Sequence, residues 1–260
     1  MIIYFSGTGN SRHVASLLQH RMKGEVVKID TKSIDTASTT HLSPDNDEPL
    51  IWVFPIYSWG VPPVVVKYMS TINGDLARHK HYMVCTCGDD IGLAHEQWRN
   101  IMRSRGWNAA TAYSVQMPNT YVTFPGFDVD TEEMEADKLS RCGERVDHIV
   151  SCIKSGTPGD DVVTGGMKWI KSRMIYPLFI RRMMSPRPFH CLDNQCIGCG
   201  LCAKACPMDN VTLDENHRPQ WGDNCAMCLA CYHACPKHAV AYGRLTDKKG
   251  QYRLPEQIAD

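Results

Sequence analysis

The sequence predicts an α/β chain in two parts, a doubly wound parallel sheet of five strands followed by a smaller α+β domain. Three observations carry this prediction. Short apolar runs alternate with helical patterns over the first 160 residues, which is typical of a parallel sheet with helices on both faces. A glycine-rich turn follows the first apolar run. Eight of the thirteen cysteines lie in one motif written twice, between residues 196 and 235.

Five apolar runs are predicted to be strands, and helical patterns lie between and after them. The runs are rich in Ile, Val, Tyr and Phe, and the longest helical pattern repeats apolar residues at spacings of three and four. The predicted strands span 2–5, 26–30, 50–54, 81–86 and 111–117. The predicted helices span 13–20, 63–72, 93–105 and 131–154.

The turn after the first strand has the composition of a phosphate-binding loop. A helical pattern starts directly behind its residues, which are Ser6, Gly7, Thr8, Gly9, Asn10 and Ser11. Exposed backbone N–H groups, hydroxyls and the N-terminal end of a helix all favour an anion. The turn lacks the Gly-Lys-Ser/Thr of the P-loop and the third glycine of the dinucleotide motif. A purely structural strand–helix turn is the alternative.

Two later strands end in loops that suit a flat aromatic ligand. The third predicted strand is followed by Pro55, Tyr57, Ser58, Trp59 and Gly60, and the fourth runs into Thr86, Cys87, Gly88 and Asp89. Aromatic side chains beside a glycine can form an apolar wall, and ligands bind at the carboxyl ends of parallel strands. Taken singly, Tyr57 and Trp59 would be ordinary anchors of a loop.

Together the three loops resemble those of flavodoxins, in which a Thr/Ser-x-Thr-Gly-x-Thr/Ser turn binds the phosphate of FMN. Hydroxyls stand at the matching positions, Ser6, Thr8 and Ser11, and Gly88-Asp89 matches a turn that closes over the flavin. The resemblance implies a flavodoxin-like FMN-binding domain over residues 1–160 with the strand order 2-1-3-4-5. It also implies that the residues of all three loops bind the cofactor.

The duplicated cysteine motif is typical of iron–sulfur proteins. The first copy is Cys196-x2-Cys199-x2-Cys202-x3-Cys206 and the second is Cys225-x2-Cys228-x2-Cys231-x3-Cys235, each followed by proline. Eight thiolates hold two [4Fe–4S] clusters, and the fourth cysteine of each run ligates the cluster of the other run. The spacing therefore assigns Cys235 to the first cluster and Cys206 to the second. A zinc site or a disulfide framework is the alternative.

Residues 190–243 resemble bacterial two-cluster ferredoxins, and residues 2–243 as a whole resemble the ferrodoxins, which join a flavodoxin-like half to such a ferredoxin half. This resemblance implies two [4Fe–4S] clusters, FMN and electron transfer in an anaerobe. It implies redox partner proteins as well, either a ferredoxin or an oxidoreductase. The charge departs from the pattern, because flavodoxins and ferredoxins are usually acidic and this chain has 28 basic and 28 acidic residues.

A basic connecting segment, residues 161–189, separates the first part from the ferredoxin-like domain with its C-terminal tail, residues 190–260. Between residues 167 and 187 the chain mixes six Lys or Arg with large apolar residues and has no acid. Pro177 is expected to kink or end a helix there. One interpretation is a face for an acidic partner or an anionic membrane. The preferred one is an inter-domain helix with its apolar side buried against one domain.

The sequence thus predicts electron transfer between two [4Fe–4S] clusters and FMN, and it leaves open whether the chain is also an enzyme. One alternative is an FMN-dependent reductase of a small organic substrate, with residues 118–129 as a lid and His95, Tyr57 or Tyr121 as proton donors by position only. Another is an iron–sulfur scaffold with a vacant flavin site. We expect no nucleic-acid partner and no nicotinamide site, and clusters with free thiols predict a cytoplasmic location.

Overall fold

The N-terminal part is built on a parallel sheet of five main strands. The structure is a computed structural model that describes residues 1–45 and 48–255, so the last five residues of the predicted tail lie outside it. The elements in chain order are β1 (Ile2–Tyr4), α1 (Asn10–Met22), β2 (Val26–Lys28), α2 (Thr31–Thr36), β3 (His41–Leu42), β4 (Leu50–Pro55), α3 (Pro63–Thr71), β5 (Asn73–Gly74), β6 (Lys80–Cys87), α4 (Ala94–Ser104), β7 (Asn108–Gln116) and α5 (Glu132–Ser155).

The main strands lie in the order β2-β1-β4-β6-β7, and every neighbouring pair is parallel. Two short strands, β3 and β5, pair with each other outside this sheet and were not predicted, because two residues leave no periodicity to detect. Without them, the observed order is the predicted 2-1-3-4-5, which is confirmed. The flavodoxin-like fold places the loops after β1, β4, β6 and β7 at one edge of the sheet.

Alternating residues of the central strands supply two separate cores. Ile3, Trp52 and Phe54 face one side, where they pack with buried residues of α3 and α4. Ile2 and Ile51 face the other side, against α1 and α5. Since both faces are covered, the strands consist of nearly continuous apolar residues, as is typical of parallel sheets. The sheet is therefore a rigid frame for the loops at its carboxyl edge.

A neutral histidine is buried in the first of these cores. His81 Nδ1 accepts a hydrogen bond from Trp52 Nε1 at 3.0 Å, and its Nε2 donates to the Leu76 carbonyl at 2.9 Å. The ring stacks on Trp52 and Trp107. Burial lowers the pKa of His81 from 6.5 to about 4, because a charged imidazolium would lose both its water and the bond from Trp52.

We expect the free energy of unfolding to rise with pH between about 4 and 6.5, the folded and ordinary pKa values of His81. In this window the unfolded chain binds the proton and the folded chain does not, so acid favours unfolding. His81→Gln removes the titration and should reduce the slope by up to ~1.4 kcal/mol per pH unit. Urea denaturation across this pH range measures the slope. His20→Gln, at an exposed position of α1, is the control, and an equal slope in all three proteins contradicts the prediction.

The connecting segment is helical from Lys168 to Met183, and the helical run includes Pro177. It consists of α6 (Lys168–Ile170), a π turn (Lys171–Ile175), α7 (Tyr176–Leu178) and a second π turn (Phe179–Met183). Pro177 was expected to kink or end the helix. The part of this expectation that the helix ends there is wrong, because the helical run continues to Met183. In an α-helix the proline ring collides with the carbonyl four residues earlier. Here a π turn lies on each side of the proline, and the hydrogen bonds of a π turn span five residues instead of four. This changes which carbonyl faces the proline ring.

The preferred interpretation of this segment, an apolar side buried against one domain, is also wrong. Among its large apolar residues Phe179 is buried, whereas Met167, Trp169, Ile170, Met174 and Leu178 are exposed. The reason is that the inward side is held by polar contacts: Ser172 Oγ donates to the Trp59 carbonyl at 2.9 Å, and Tyr176 Oη donates to the Val61 carbonyl at 2.6 Å. The apolar side consequently faces solvent.

The C-terminal part contains two short antiparallel strand pairs and two short helices around the cysteine motifs. Its elements are β8 (Phe189–Cys191), α8 (Leu201–Lys204), β9 (Val211–Leu213), β10 (Pro219–Trp221), α9 (Ala230–Ala234) and β11 (Val240–Tyr242). β8 pairs with β11, and β9 pairs with β10. Within the part of the chain that the structure describes, none of the helices combines the length and the apolar composition that a membrane-spanning helix needs.

Candidate cofactor sites

The loop after β1 ends in a helix N-terminus that none of the described side chains caps. Gly9 precedes α1 with φ 105°, a left-handed conformation that glycine adopts without strain. The first N–H groups of the thirteen-residue helix receive no capping bond from the Gly9 position. Ser11 Oγ lies 2.7 Å from Thr86 Oγ1, which joins this loop to the end of β6. A turn with open N–H groups and nearby hydroxyls suits a phosphate group.

A cavity opens beside this loop at the carboxyl edge of the sheet. Ten of the fifteen residues predicted to bind the flavin line it: Ser6, Gly7, Thr8, Asn10, Ser11, Pro55, Tyr57, Thr86, Cys87 and Gly88. Burial raises the pKa of the Cys87 thiol to about 12 and that of the Tyr57 phenol well above its ordinary value. Both groups therefore keep their protons in this cavity.

The other five predicted residues do not line the cavity. Gly9 forms the turn behind it, and the Asp89 carbonyl accepts a bond from Gln116 Nε2 at 2.9 Å. Ser58 and Trp59, with φ 45° and 64°, form a tight turn closed by two bonds between Tyr57 and Gly60.

The residues of that turn pack against the connecting segment instead of lining the cavity. Lys171 Nζ lies 5.0 Å from the centre of the Trp59 ring. An added Cβ at Gly60 would lie 2.2 Å from the Tyr176 ring. The glycine therefore allows close packing against the segment, and the sequence contained no signal that this segment would cover the loop.

Residues 118–121 belong to the lid of the reductase alternative, but several residues of the cavity wall lie outside the fifteen that were predicted to bind the flavin. They are Ile56, the stretch from Met117 to Tyr121, and Cys228 from the second cysteine motif. Met117 follows directly on β7, so the rule that ligands lie at the carboxyl ends of strands could have found this stretch. His95, a positional candidate for a proton donor, is not part of the wall.

The wall from Met117 to Tyr121 is held by a buried ion pair. Lys138 Nζ lies 2.6 Å from Asp130 Oδ2, and the Asn119 backbone and side-chain amides donate to the Asp130 carboxylate at 3.0 and 2.8 Å. Burial alone would raise the pKa of Asp130, but the bonds from Lys138 and Asn119 together lower it. Asn119 in turn fills the space beside Gly88, where an added Cβ would lie 1.6 Å from its Oδ1.

The C-terminal part forms hydrogen bonds to the same wall. His233 Nε2 donates to the Thr120 carbonyl at 2.8 Å, and its Nδ1 accepts from the Tyr252 N–H at 3.0 Å. Tyr252 Oη donates to Asn10 Oδ1 at 2.6 Å, while Asn10 Nδ2 donates to the Pro118 carbonyl at 2.9 Å. This buried chain of bonds connects the phosphate-loop region, the wall and the helix α9.

The first cysteine motif surrounds a cavity that also contains a cysteine of the second motif. Its cysteines are Cys196, Cys199, Cys202 and Cys235, the four that the spacing assigns to one cluster, together with Cys191. Backbone N–H groups of Gly198 and Ala239 point at Cys196 Sγ and Cys235 Sγ, at 3.5 and 3.2 Å. Such bonds to ligand sulfurs stabilise added negative charge and tune cluster potentials.

The remaining four cysteines form a second group. Burial, and then the nearby Cys231, Cys206 and Cys225, raise the pKa of Cys228 well above its ordinary value. Backbone N–H groups donate to Cys206 Sγ and Cys225 Sγ, both at 3.3 Å. Among the described residues, no three His, Cys, Asp or Glu side chains converge as they would around a single metal ion. A [4Fe–4S] cluster binds each thiolate through a separate iron, so two groups of four suit the clusters.

The two cofactor sites share a wall at Gly7. Cys228 lines the flavin cavity, and an added Cβ at Gly7 would lie 2.5 Å from Cys228 Cβ and 2.8 Å from its carbonyl oxygen. Cys228 and Cys225 also contribute to the raised pKa of Tyr57 on the cavity wall. The phosphate-type loop, the aromatic wall and the two groups of thiols thus suit a flavin and two clusters.

Comparisons with known proteins agree with both halves. The family model described as a flavodoxin domain matches residues 1–123, and the model described as a 4Fe-4S dicluster domain matches residues 195–240. The chain is 34% identical over 70 residues to a ferredoxin of Pyrobaculum islandicum, and the match covers 24% of this chain and 64% of that protein. The chain therefore spans less than two thirds of the length of this curated relative.

Solved flavodoxins are similar to this chain at low sequence identity. Oxidised flavodoxin 2 from Bacillus cereus has 15% identity and a TM-score of 0.36, with 58% of this chain and 97% of that chain covered. A flavodoxin of Streptococcus pneumonia TIGR4 has 14% identity and a TM-score of 0.35, with 58% and 96% covered.

The match to a flavodoxin domain implies FMN, and the match to a dicluster domain implies [4Fe–4S] clusters. The chain therefore joins an N-terminal stretch that matches a flavodoxin domain to a C-terminal stretch that matches a 4Fe-4S dicluster domain.

Proposed function

We propose that this chain couples one-electron carriers to a flavin by holding a cluster site directly against the flavin site. The observation that carries this proposal is the contact of Gly7 in the phosphate-type loop with Cys228 in the second cysteine motif. When bound, each cluster exchanges one electron and FMN exchanges one or two, so adjacent sites let single electrons be paired or a pair be divided.

The ligand sets follow the two groups of thiols. Cys196, Cys199, Cys202 and Cys235 would hold the first cluster, and Cys206, Cys225, Cys228 and Cys231 the second. Ser6, Gly7, Thr8, Asn10 and Ser11 would bind the FMN phosphate through backbone N–H groups and hydroxyls. Tyr57 and the stretch from Met117 to Tyr121 would exclude water from the ring.

Redox partners would approach at the first motif. Cys199 is exposed there, and its neighbours Ile197 and Leu201 are exposed apolar side chains, with 62% and 41% of their surface accessible. The group that contains Cys228 lies deeper, because Cys228 faces the flavin cavity. A partner docked at Cys199 would thus meet the first cluster site, with the second site between it and the flavin.

Rapid mixing with a one-electron reductant tests the coupling. We expect anaerobically purified protein to contain about eight irons and one FMN per chain. The absorbance of the flavin should then change at a rate that does not depend on protein concentration, because both sites belong to one molecule. A rate proportional to protein concentration, as for electron exchange between separate molecules, would reject the proposal.

A flavin-dependent reductase of small organic molecules is the second candidate. Tyr57 and Tyr121 both line the cavity, and burial raises the pKa of both phenols, so each keeps a proton that it could donate. Steady-state turnover of quinones, nitro compounds or enones with reduced ferredoxin as donor distinguishes this candidate. Turnover that Tyr121→Phe reduces at unchanged flavin affinity would favour a reductase over an electron carrier.

A further inference from the structure

The connecting segment presents an exposed apolar surface along one side. We call this the outer face and define it by Met167, Trp169, Ile170, Met174, Leu178, Arg181 and Arg182. Its five apolar side chains are between 49% and 72% exposed. Ile170, Met174, Leu178 and Arg182 follow each other at spacings of four residues, which places them on one side of a helical segment. Such a continuous apolar stripe on a surface marks an interaction site.

The opposite side of the segment is firmly attached to the flavodoxin domain. Tyr176 Oη donates to the Val61 carbonyl and accepts from Gln97 Nε2 at 3.0 Å. Ser172 Oγ accepts from the Leu93 N–H at 2.7 Å, and Lys171 Nζ lies 2.6 Å from the Asp90 carboxylate, a half-buried pair. These contacts fix which side of the helix points outward, so the exposure of the apolar stripe is a property of the fold.

The charge of the segment has one sign. Six Lys or Arg and no acid lie between residues 167 and 187. Lys171 and Arg173 form ion pairs with Asp90 and Glu96 of the flavodoxin domain. Lys168, Arg181, Arg182 and Arg187 form no ion pair with any other described residue. The segment therefore adds unbalanced positive charge to an exposed apolar stripe.

We propose that the outer face binds an anionic lipid surface, with the helix lying in the plane of the interface. Trp, Ile, Met and Leu on the exposed side of a helix, flanked by arginines, are the composition of interfacial helices. The cations complement anionic headgroups, and the apolar stripe would enter the boundary of the acyl region.

Flotation of the holoprotein with vesicles tests the proposal. We expect the wild type to float with vesicles of phosphatidylcholine mixed with phosphatidylserine, and much less with phosphatidylcholine alone. Arg181→Gln/Arg182→Gln should reduce binding to the anionic vesicles by about tenfold or more, since each cation contributes to the attraction. Ile170→Ser/Leu178→Ser should also reduce it, because these changes remove buried apolar area. Raising the salt from about 0.1 M to about 1 M should weaken binding as well.

Matched controls test whether binding to vesicles depends on the outer face or on exposed cations and apolar residues anywhere on the surface. Arg103→Gln/Arg141→Gln removes two exposed arginines elsewhere, and Met134→Ser removes an exposed apolar residue of α5 that is 47% accessible. Both should float like the wild type, with unchanged iron and flavin content in all variants. No flotation of the wild type, or equal flotation of outer-face and control variants, overturns the proposal. So does a wild-type dimer that the outer-face variants dissociate, because a second copy would then cover the stripe.

Discussion

Replacing Gly7 by alanine is expected to weaken flavin binding by roughly tenfold to a hundredfold, the equivalent of overpacking a closed contact by 1–3 kcal/mol. The new Cβ would lie 2.5 Å from Cys228 Cβ and 2.8 Å from the Cys228 carbonyl oxygen. One of these atoms belongs to the backbone and the other is fixed to it, so neither can move without the loop that carries it. Fluorescence titration of the flavin-free, cluster-loaded protein with FMN measures the affinity.

The same substitution should disturb the cluster site on the other side of the wall. Cys228 would have to shift within its group of thiols, which we expect to change the electron paramagnetic resonance spectrum of the reduced protein and to lower its iron content. Gly7 has no left-handed φ, so the effect is steric rather than a matter of backbone strain. A Gly7→Ala protein with unaltered FMN affinity and spectrum would show that the two sites do not share this wall.

Gly143→Ala is the matched control for this experiment. Gly143 lies within α5, and an added Cβ would meet only Arg21 Nη2, at 3.9 Å. Alanine is the better helix former there, so the variant should be as stable as the wild type or more stable by up to about 1 kcal/mol. Its flavin affinity should equal that of the wild type.

Replacing Lys138 by methionine is expected to lower the free energy of unfolding by about 3–5 kcal/mol, because it leaves the Asp130 carboxylate buried without its cation. The two side chains are only 8% and 4% exposed. Asn119 is bonded to the same carboxylate and lines the flavin cavity, so flavin affinity should fall as well. Urea denaturation and FMN titration of the same protein measure both effects.

The pH dependence of this variant carries a definite sign. In the wild type the pKa of Asp130 is lowered by Lys138 and Asn119, so the stabilisation is present above the ordinary carboxyl pKa of 3.8 and lost as pH falls below it. Without Lys138 the pKa of Asp130 should rise, because burial then dominates. The difference in the free energy of unfolding between the wild type and Lys138→Met should accordingly shrink as pH falls, because protonation of Asp130 removes the unpaired buried charge of the variant.

Arg141→Met, on the same helix, provides the comparison. Arg141 pairs with Asp137 one turn earlier, and both side chains are about 60% exposed. Exposed pairs of this kind contribute about 0.5 kcal/mol or less. If Lys138→Met cost no more than Arg141→Met, the buried pair would not hold the wall from Met117 to Tyr121.

Much of the fold and part of the candidate site followed from patterns that are local in the chain. A strand or helix of ordinary length carries its own periodicity, which is why β4, β6 and α5 were predicted close to their observed bounds. The Ser6–Ser11 turn and the cysteine spacings are likewise local, because a short stretch of backbone is enough to surround a phosphate or one side of a cluster. The structure brings the eight cysteines together in the two groups of four that this spacing predicted, and ligation itself stays a prediction.

The sequence alone thus determined the parallel sheet, its two covered faces, the loops at its carboxyl edge and the two cofactor types. Only the tertiary structure decided that Cys228 lies against Gly7, that Trp59 turns toward Lys171 instead of the cavity, and that the apolar stripe of the connecting segment faces outward. The physical reason is the range of the interactions. Periodicity and spacing act within a few residues, whereas these contacts join residues that lie far apart in the chain and depend on how complete surfaces pack.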